Sequence, residues 1–159
     1  WRPTGEGFVA PEIGFLDANV SSALQDLERL ANSHLMLYPW PQAGPLDLSQ
    51  EESLEDAVPV FSPDGKQIVF ARKYLDTRRW STGRQMWLMD VDTRQARALT
   101  EDPEYNHFDF AWSPDGRRLA YVRFNQSLLT EPPEVWMMDL QTGERQLLIA
   151  GGYSPQWIP

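Results

Sequence analysis

Val60-Phe61-Ser62-Pro63-Asp64-Gly65-Lys66-Gln67-Ile68-Val69-Phe70-Ala71 returns 51 residues later as Ala111-Trp112-Ser113-Pro114-Asp115-Gly116-Arg117-Arg118-Leu119-Ala120-Tyr121-Val122. In both copies an aromatic residue precedes Ser-Pro-Asp-Gly, and an apolar run follows two polar residues. The turn has a physical basis. Proline presets φ at the second position, Asp tolerates the third, and Gly allows positive φ at the fourth. The run after it, Ile68–Ala71 or Leu119–Val122, is apolar at every position and does not alternate. A strand buried on both faces reads that way.

The repeat extends outward from this stretch. Met86-Trp87-Leu88-Met89-Asp90 is answered by Val135-Trp136-Met137-Met138-Asp139, and Ala98-Leu99-Thr100 by Leu147-Leu148-Ile149. Weaker copies lie at both ends. Trp1-Arg2-Pro3-Thr4-Gly5 aligns without gaps on Trp112–Gly116, with Phe8 and Ala10 at the places of Leu119 and Tyr121. Residues 35–61 align without gaps on 86–112, so Leu48-Ser49 matches Leu99-Thr100. Trp157-Ile158-Pro159 aligns on Trp112-Ser113-Pro114. The aromatic anchors are Trp1, Phe61, Trp112 and Trp157, at spacings of 60, 51 and 45.

Each repeat reads as four short strands. The first ends at the anchor, the second follows Ser-Pro-Asp-Gly, and the third ends in Asp90 or Asp139. After a second tight turn the fourth ends at Leu99-Thr100 or Leu148-Ile149. Four-stranded antiparallel units at this spacing are propeller blades, each burying both faces against its neighbours. A helical solenoid fails, because the repeat cores are rich in Val, Phe, Tyr and Trp and broken by Pro-Asp-Gly turns. The expected fold is therefore all-β: three four-stranded antiparallel β-propeller blades plus the start of a fourth. The blades span 1–60, 61–111 and 112–156, with 157–159 opening the next. A helical insertion is expected in the first blade at about 16–34. There Ser22 with Gln25 fits a capping box, and Val20, Leu24, Leu27, Leu30 and Ala31 recur at helical spacing.

Phe61–Ala71 and Trp112–Tyr121 resemble the signature of TolB-type, WD40-like (PD40) propeller repeats. The later Trp87–Asp90 and Leu99-Thr100 resemble the family's remaining elements. The resemblance is strong over 58–159 and weak over 1–57. There Thr4 stands for the turn Asp and Pro39 for the strand-end Asp. The resemblance implies a periplasmic or otherwise extracytoplasmic bacterial protein. It implies a non-catalytic protein- or peptide-binding module, or alternatively a gating propeller of a larger enzyme such as a prolyl-oligopeptidase-like serine peptidase.

Composition narrows the chemistry. The chain has 159 residues, 42% hydrophobic, no cysteine and a net charge of −9. Disulfides, thiolate catalysis and Cys-based zinc sites are excluded. The acidic balance argues against nucleic acid, whose phosphates call for a basic surface, and against anionic lipid. No apolar run approaches the roughly 20 residues of a membrane span. Three blades leave two apolar blade faces uncovered, where closed propellers carry four to eight. Further blades of a parent chain, or a head-to-tail homodimer closing a six-bladed ring, would cover them.

No catalytic constellation is present: there is no Gly-x-Ser-x-Gly elbow, His-Glu-x-x-His or P-loop. His34 and His107 fall at non-equivalent repeat positions, and Asp64 and Asp115 recur with their turns. No ordered Ca²⁺ loop is visible, so neither a metal nor another cofactor is expected. The turn motif Ser62, Pro63, Asp64, Gly65 and Ser113, Pro114, Asp115, Gly116 is structural.

The long segments all fall on one face, that of the loops between strands two and three and of the inter-blade returns. Insertions gathered on one side of a repeat protein often mark its binding face. The candidate partner-binding residues lie there: Arg72, Lys73, Tyr74, Arg78, Arg79 and Trp80 in the basic segment 72–84, and Leu24 and Leu27 on the predicted helix. The acidic returns, Glu51, Glu52, Glu55 and Asp56, then Glu101, Asp102 and Glu104, read as solvated, as partners of that basic segment, or as a site for a cation or basic peptide.

Overall fold

The computed structural model describes residues 1–15, 31–41 and 44–158. Eleven strands are present among them: β1 (Gly7–Phe15), β2 (Ala31–Pro39), β3 (Leu46–Asp47), β4 (Leu54–Phe61), β5 (Gln67–Tyr74), β6 (Gln85–Asp90), β7 (Ala96–Ala98), β8 (Tyr105–Trp112), β9 (Arg118–Asn125), β10 (Glu134–Asp139) and β11 (Arg145–Ala150). β4 to β7 form one antiparallel meander, and β8 to β11 repeat it as a separate four-stranded sheet.

One expectation is corrected and the C-terminal bound of another is moved. The first unit does not stand as a separate four-stranded sheet. β1, β2 and β3 join β4–β7 in one seven-stranded sheet through a parallel Ser33↔Glu55 bridge. Ser33 Oγ donates to the Asp56 carbonyl (2.7 Å) and Asn32 Nδ2 to the Glu52 carbonyl (3.1 Å), which holds β2 along β4. The helical insertion expected at about 16–34 falls mostly outside the described residues. Residues 16–30, with Leu24 and Leu27, lie outside the described residues, and 31–34 belong to β2 rather than to a helix. The nine-residue register of β1 on β2, from Gly7↔Pro39 to Phe15↔Ala31, draws Ala31–His34 into the ladder.

The turns bear out the weak repeat copy at the start of the chain. Gly5, Gly65 and Gly116 have φ of 77°, 71° and 69°. Each donates its N–H to the carbonyl three residues back: Arg2 (2.9 Å), Ser62 (2.8 Å) and Ser113 (2.9 Å). The Ser62 hydroxyl donates to Asp64 Oδ1 (2.6 Å), which also accepts the Lys66 N–H (3.1 Å). Ser113, Asp115 and Arg117 repeat this. The serine hydroxyl, then the backbone N–H, holds each aspartate below the ordinary carboxylate range. Both aspartates are locked into their turns.

The frame of 35–61 on 86–112 also holds. Leu48 N–H bonds the Leu35 carbonyl (2.9 Å) as Leu99 N–H bonds that of Met86 (2.7 Å). Leu35 N–H bonds Ser49 Oγ (2.8 Å) as Met86 N–H bonds Thr100 Oγ1 (2.9 Å).

The apolar runs are buried on both sides. Val69 and Ala71 of β5, with Met86 and Leu88, pack against Phe110, Trp112, Leu119 and Tyr121 of the four-stranded sheet. Ile68 and Phe70 point the other way, onto Leu35, Leu48 and Phe61. Full burial of each large apolar side chain contributes about 1.5–3 kcal/mol, and a central unit flanked on both faces collects that gain twice.

The anchors link successive units. Trp112 Nε1 donates to the Val60 carbonyl (3.2 Å), and Trp157 Nε1 to that of Ala111 (3.0 Å). Three residues before each anchor the backbone turns left-handed, with φ of 46° at Val58, 51° at Asp109 and 48° at Ser154. In β4 and β8 this residue opens a bulge, between Ala57 and Val60 and between Phe108 and Ala111.

Candidate functional site

The loop between β5 and β6 begins at Leu75, three residues later than the segment read from sequence, because β5 continues through Arg72, Lys73 and Tyr74. Arg72 is therefore a core residue, 6% exposed. Its Nε and Nη2 donate to Asp56 Oδ1 and Oδ2, both at 2.7 Å, and its guanidinium lies over Phe70 (5.0 Å) and Trp87 (5.1 Å). Burial works against its charge and the Asp56 hydrogen bonds overcome that, leaving the pKa raised. Asp56 also accepts from Ser49 Oγ (2.6 Å).

The rest of the segment is a clamped surface loop. Arg79 lies on the Tyr74 ring (3.9 Å) and donates to Glu51 Oε2 (2.8 Å) and Asp76 Oδ2 (2.8 Å). Lys73 Nζ sits over the Trp80 ring (4.6 Å), and Trp80 bridges back to Tyr74. Trp80 stays 55% exposed. Arg78 is also exposed, its N–H bound to Asp76 Oδ1 (3.0 Å). Arg84 pairs with Glu55. Gly83 carries the loop onto the return before β8, its N–H donating to the Pro103 carbonyl (2.8 Å). The first acidic return thus partners the basic segment through Glu51, Glu55 and Asp56, one of the readings the sequence left open, whereas Asp102 of the second return pairs with Arg145 and Arg123 instead.

Sequence reasoning passed over a polar layer behind this face. His107 is fully buried and its Nδ1–H donates to the Arg84 carbonyl (2.9 Å). Asp102 accepts Arg145 Nη1 (2.8 Å) and lies 3.6 Å from Arg123 Nη1. Arg123 in turn bonds Glu134 (2.9 Å) and lies over Tyr105 and Trp136. The recurrence of arginine at 72 and 123, one repeat apart, was the available signal. Among the described residues no group of three or more His, Asp or Glu is placed to hold a metal ion.

Repeated four-stranded sheets, stacked face to face and pinned by anchor tryptophans, define this chain as part of a β-propeller. Residues 57–142 match the family described as the dipeptidyl peptidase IV (DPP IV) N-terminal region, and the chain belongs to that family. It is 36% identical over 64 residues to the Tol-Pal system protein TolB of Albidiferax ferrireducens, covering 40% of this chain and 14% of that protein. It is 27% identical over 104 residues to the uncharacterized peptidase YuxL of Bacillus subtilis, covering 64% and 15%. The structure of a putative TolB from Agrobacterium tumefaciens superposes with a TM-score of 0.65 at 21% identity, over 94% of this chain and 47% of that one, a likeness of fold. The chain thus spans about a seventh of the length of the curated relatives it matches.

Proposed function

We propose that the chain is a non-catalytic segment of a TolB-like propeller that binds a protein or peptide through the face bearing the β5–β6 and β9–β10 loops. Its repeats, of the PD40 kind, run 1–60, 61–111 and 112–156 in sequence, with 157–159 opening the next, and the last strand before each anchor belongs to the sheet of the repeat that follows, as β8 pairs with β9. The observation that carries the reading is the clamped β5–β6 loop. Two ion pairs and two cation–π contacts hold it in place and leave Trp80 and Arg78 outward. A rigid, exposed aromatic beside arginine is the usual make-up of a binding hot spot.

Pull-down from an extract of the source cells tests it. Trp80→Ala should remove a specific partner, with affinity down about tenfold or more, while Lys66→Ala on the opposite turn should not. Equal capture by both variants would end the proposal for this loop.

The end faces call for cover. Leu147 and Ile149 are exposed on the last sheet, Tyr153 in the segment after it, and Ile13 on the first sheet. Trp157 already occupies, on Ala111, the seat that Trp112 takes on Val60. A head-to-tail second copy would bring its own Trp1 to that seat, so further blades of a longer polypeptide are the better cover. The similarity to Tol-Pal system proteins supports a periplasmic location.

A second reading, the accessory propeller of a serine peptidase, draws on the family match and on the similarity to YuxL. A Gly-x-Ser-x-Gly elbow encoded downstream of Pro159 would favour it, and a stop codon or propeller repeats alone would remove it.

A further inference from the structure

Two seams between successive units can be compared position by position. In the second, Arg145 of β11 reaches back across the seam. Its Nη1 donates to Asp102 Oδ2 (2.8 Å) and its Nη2 approaches the Leu99 carbonyl (3.5 Å). In the first seam the corresponding residue is Ala96, opposite Met89 as Arg145 is opposite Met138. The acceptors are retained. Leu48 stands where Leu99 stands, by its matching bond to Leu35, and Glu51 lies one repeat before Asp102. With methyl in place of guanidinium, the first seam holds an open groove of about 550 Å³, lined among others by Glu51, Arg72, Tyr74, Trp87, Arg94 and Ala96.

We propose that this groove seats an arginine side chain presented by a protein partner, its guanidinium on the Glu51 carboxylate and the Leu48 carbonyl and its stem along Ala96 and Trp87. Glu51 already holds Arg79 (2.8 Å). The neighbouring seam shows that one carboxylate here serves two guanidinium groups, since Asp102 meets both Arg145 and Arg123. Arg72, which stands where Arg123 stands, is committed to Asp56 and leaves Glu51 without that second cation. Arg94 lines the groove from the β6–β7 turn and repels a cation there, which directs the guanidinium to the Glu51 end. The net charge of −9 draws cationic partners to the surface. This inference goes beyond the loop-mediated binding above and is argued from the seam; the two share Glu51, which also clamps Arg79, while Ala96 lies outside the loop.

The test is an NMR titration of the protein with acetyl-Ala-Arg-Ala-amide, following the Ala96 methyl and Trp87 indole signals. The neutral isostere carrying citrulline, and free arginine, serve as comparison ligands. The arginine peptide should give saturable shifts in the millimolar range, and the citrulline peptide none. Ala96→Arg should abolish the shifts by filling the groove from within. Glu51→Gln, exposed and tolerant, should weaken binding about tenfold and decides the matter if Ala96→Arg fails to fold. Shifts that are absent, equal for both peptides or unaltered in the variants would overturn the proposal. Free arginine binding as tightly as the peptide would overturn the partner and assign the groove to a small molecule.

Discussion

Asp56 and His107 occupy one position in successive repeats, 51 residues apart, each paired in register with an arginine, Arg72 or Arg123. Both are fully buried. The carboxylate takes its arginine directly, at 2.7 Å. The imidazole cannot, so Arg123 turns to Glu134 and Asp102, and His107 Nε2 is left without a hydrogen-bond partner, 3.8 Å from Asp102 Oδ2. The difference of one side chain between the two repeats thus sets a buried neutral ring where the other has a buried ion pair.

The neutral ring makes stability depend on pH. Burial pulls the His107 pKa down to about 4, while an unfolded histidine titrates near 6.5. Between these values only the unfolded chain takes the proton. Stability is therefore complete above about pH 6.5 and falls as pH drops toward 4, by on the order of 3 kcal/mol over the window. Urea midpoints at about pH 7 and about pH 5 should differ accordingly, and His107→Gln should flatten the difference. A slope that survives the substitution would assign it to another group.

The ion pair predicts a different result. Asp56→Ala leaves the Arg72 guanidinium buried and unpaired, at a cost of about 3–5 kcal/mol. Asp56→Ala combined with Arg72→Met removes the stranded charge and should recover most of that loss, since an apolar replacement for a buried pair is often neutral. A double-mutant cycle by chemical denaturation measures the coupling. Strict additivity would mean that the pair contributes nothing specific.

Val58 is the misfit of the bulge position. Its φ of 46° is unfavourable for a β-branched residue, whereas Asp109 and Ser154 suit the same conformation better. Val58 is 43% exposed, so little packing is lost on replacement. Val58→Asn should raise stability by about 1 kcal/mol, a Tm increase of roughly 2–4 °C for a domain of this size. Arg94, at φ 57° where the next repeat has Gly143, should gain similarly from Arg94→Gly. A fall in Tm for both would show that these positions carry no strain.

The long-range order of the fold was legible because its signals are local and repeated. Ser-Pro-Asp-Gly dictates a turn wherever it occurs, and a non-alternating apolar run dictates a strand covered on both faces. Arg72 was misplaced for the opposite reason: a charged residue at a strand end reads as loop unless its partner, Asp56 on β4, is known. Ala31–His34 has weak strand propensity and joins β2 because Gly7–Phe15 lies beside it, a tertiary effect. The clamped loop was legible by composition, as aromatic and basic residues facing acidic returns, but its pairing was not. Ala96 carries no signal alone; its meaning comes from Arg145 one repeat later.

Gly83 tests how firmly that loop is held. A Cβ there would overlap the Tyr105 carbonyl, backbone that cannot yield as a side-chain tip would. Gly83→Ala must therefore lift the loop from β8 and weaken the Gly83–Pro103 hydrogen bond, costing about 1–3 kcal/mol. The strain falls at the loop's end, so local opening should increase more than global unfolding. Trypsin reports this directly, since Arg78, Arg79 and Arg84 all lie in the segment. Each 1.4 kcal/mol of local destabilisation should speed cleavage there about tenfold under native conditions, with sites in the β8–β11 sheet protected as before. Cleavage at the original rate would mean that the loop is anchored by Arg79 and Arg84 alone, and that the close approach at Gly83 is incidental to it.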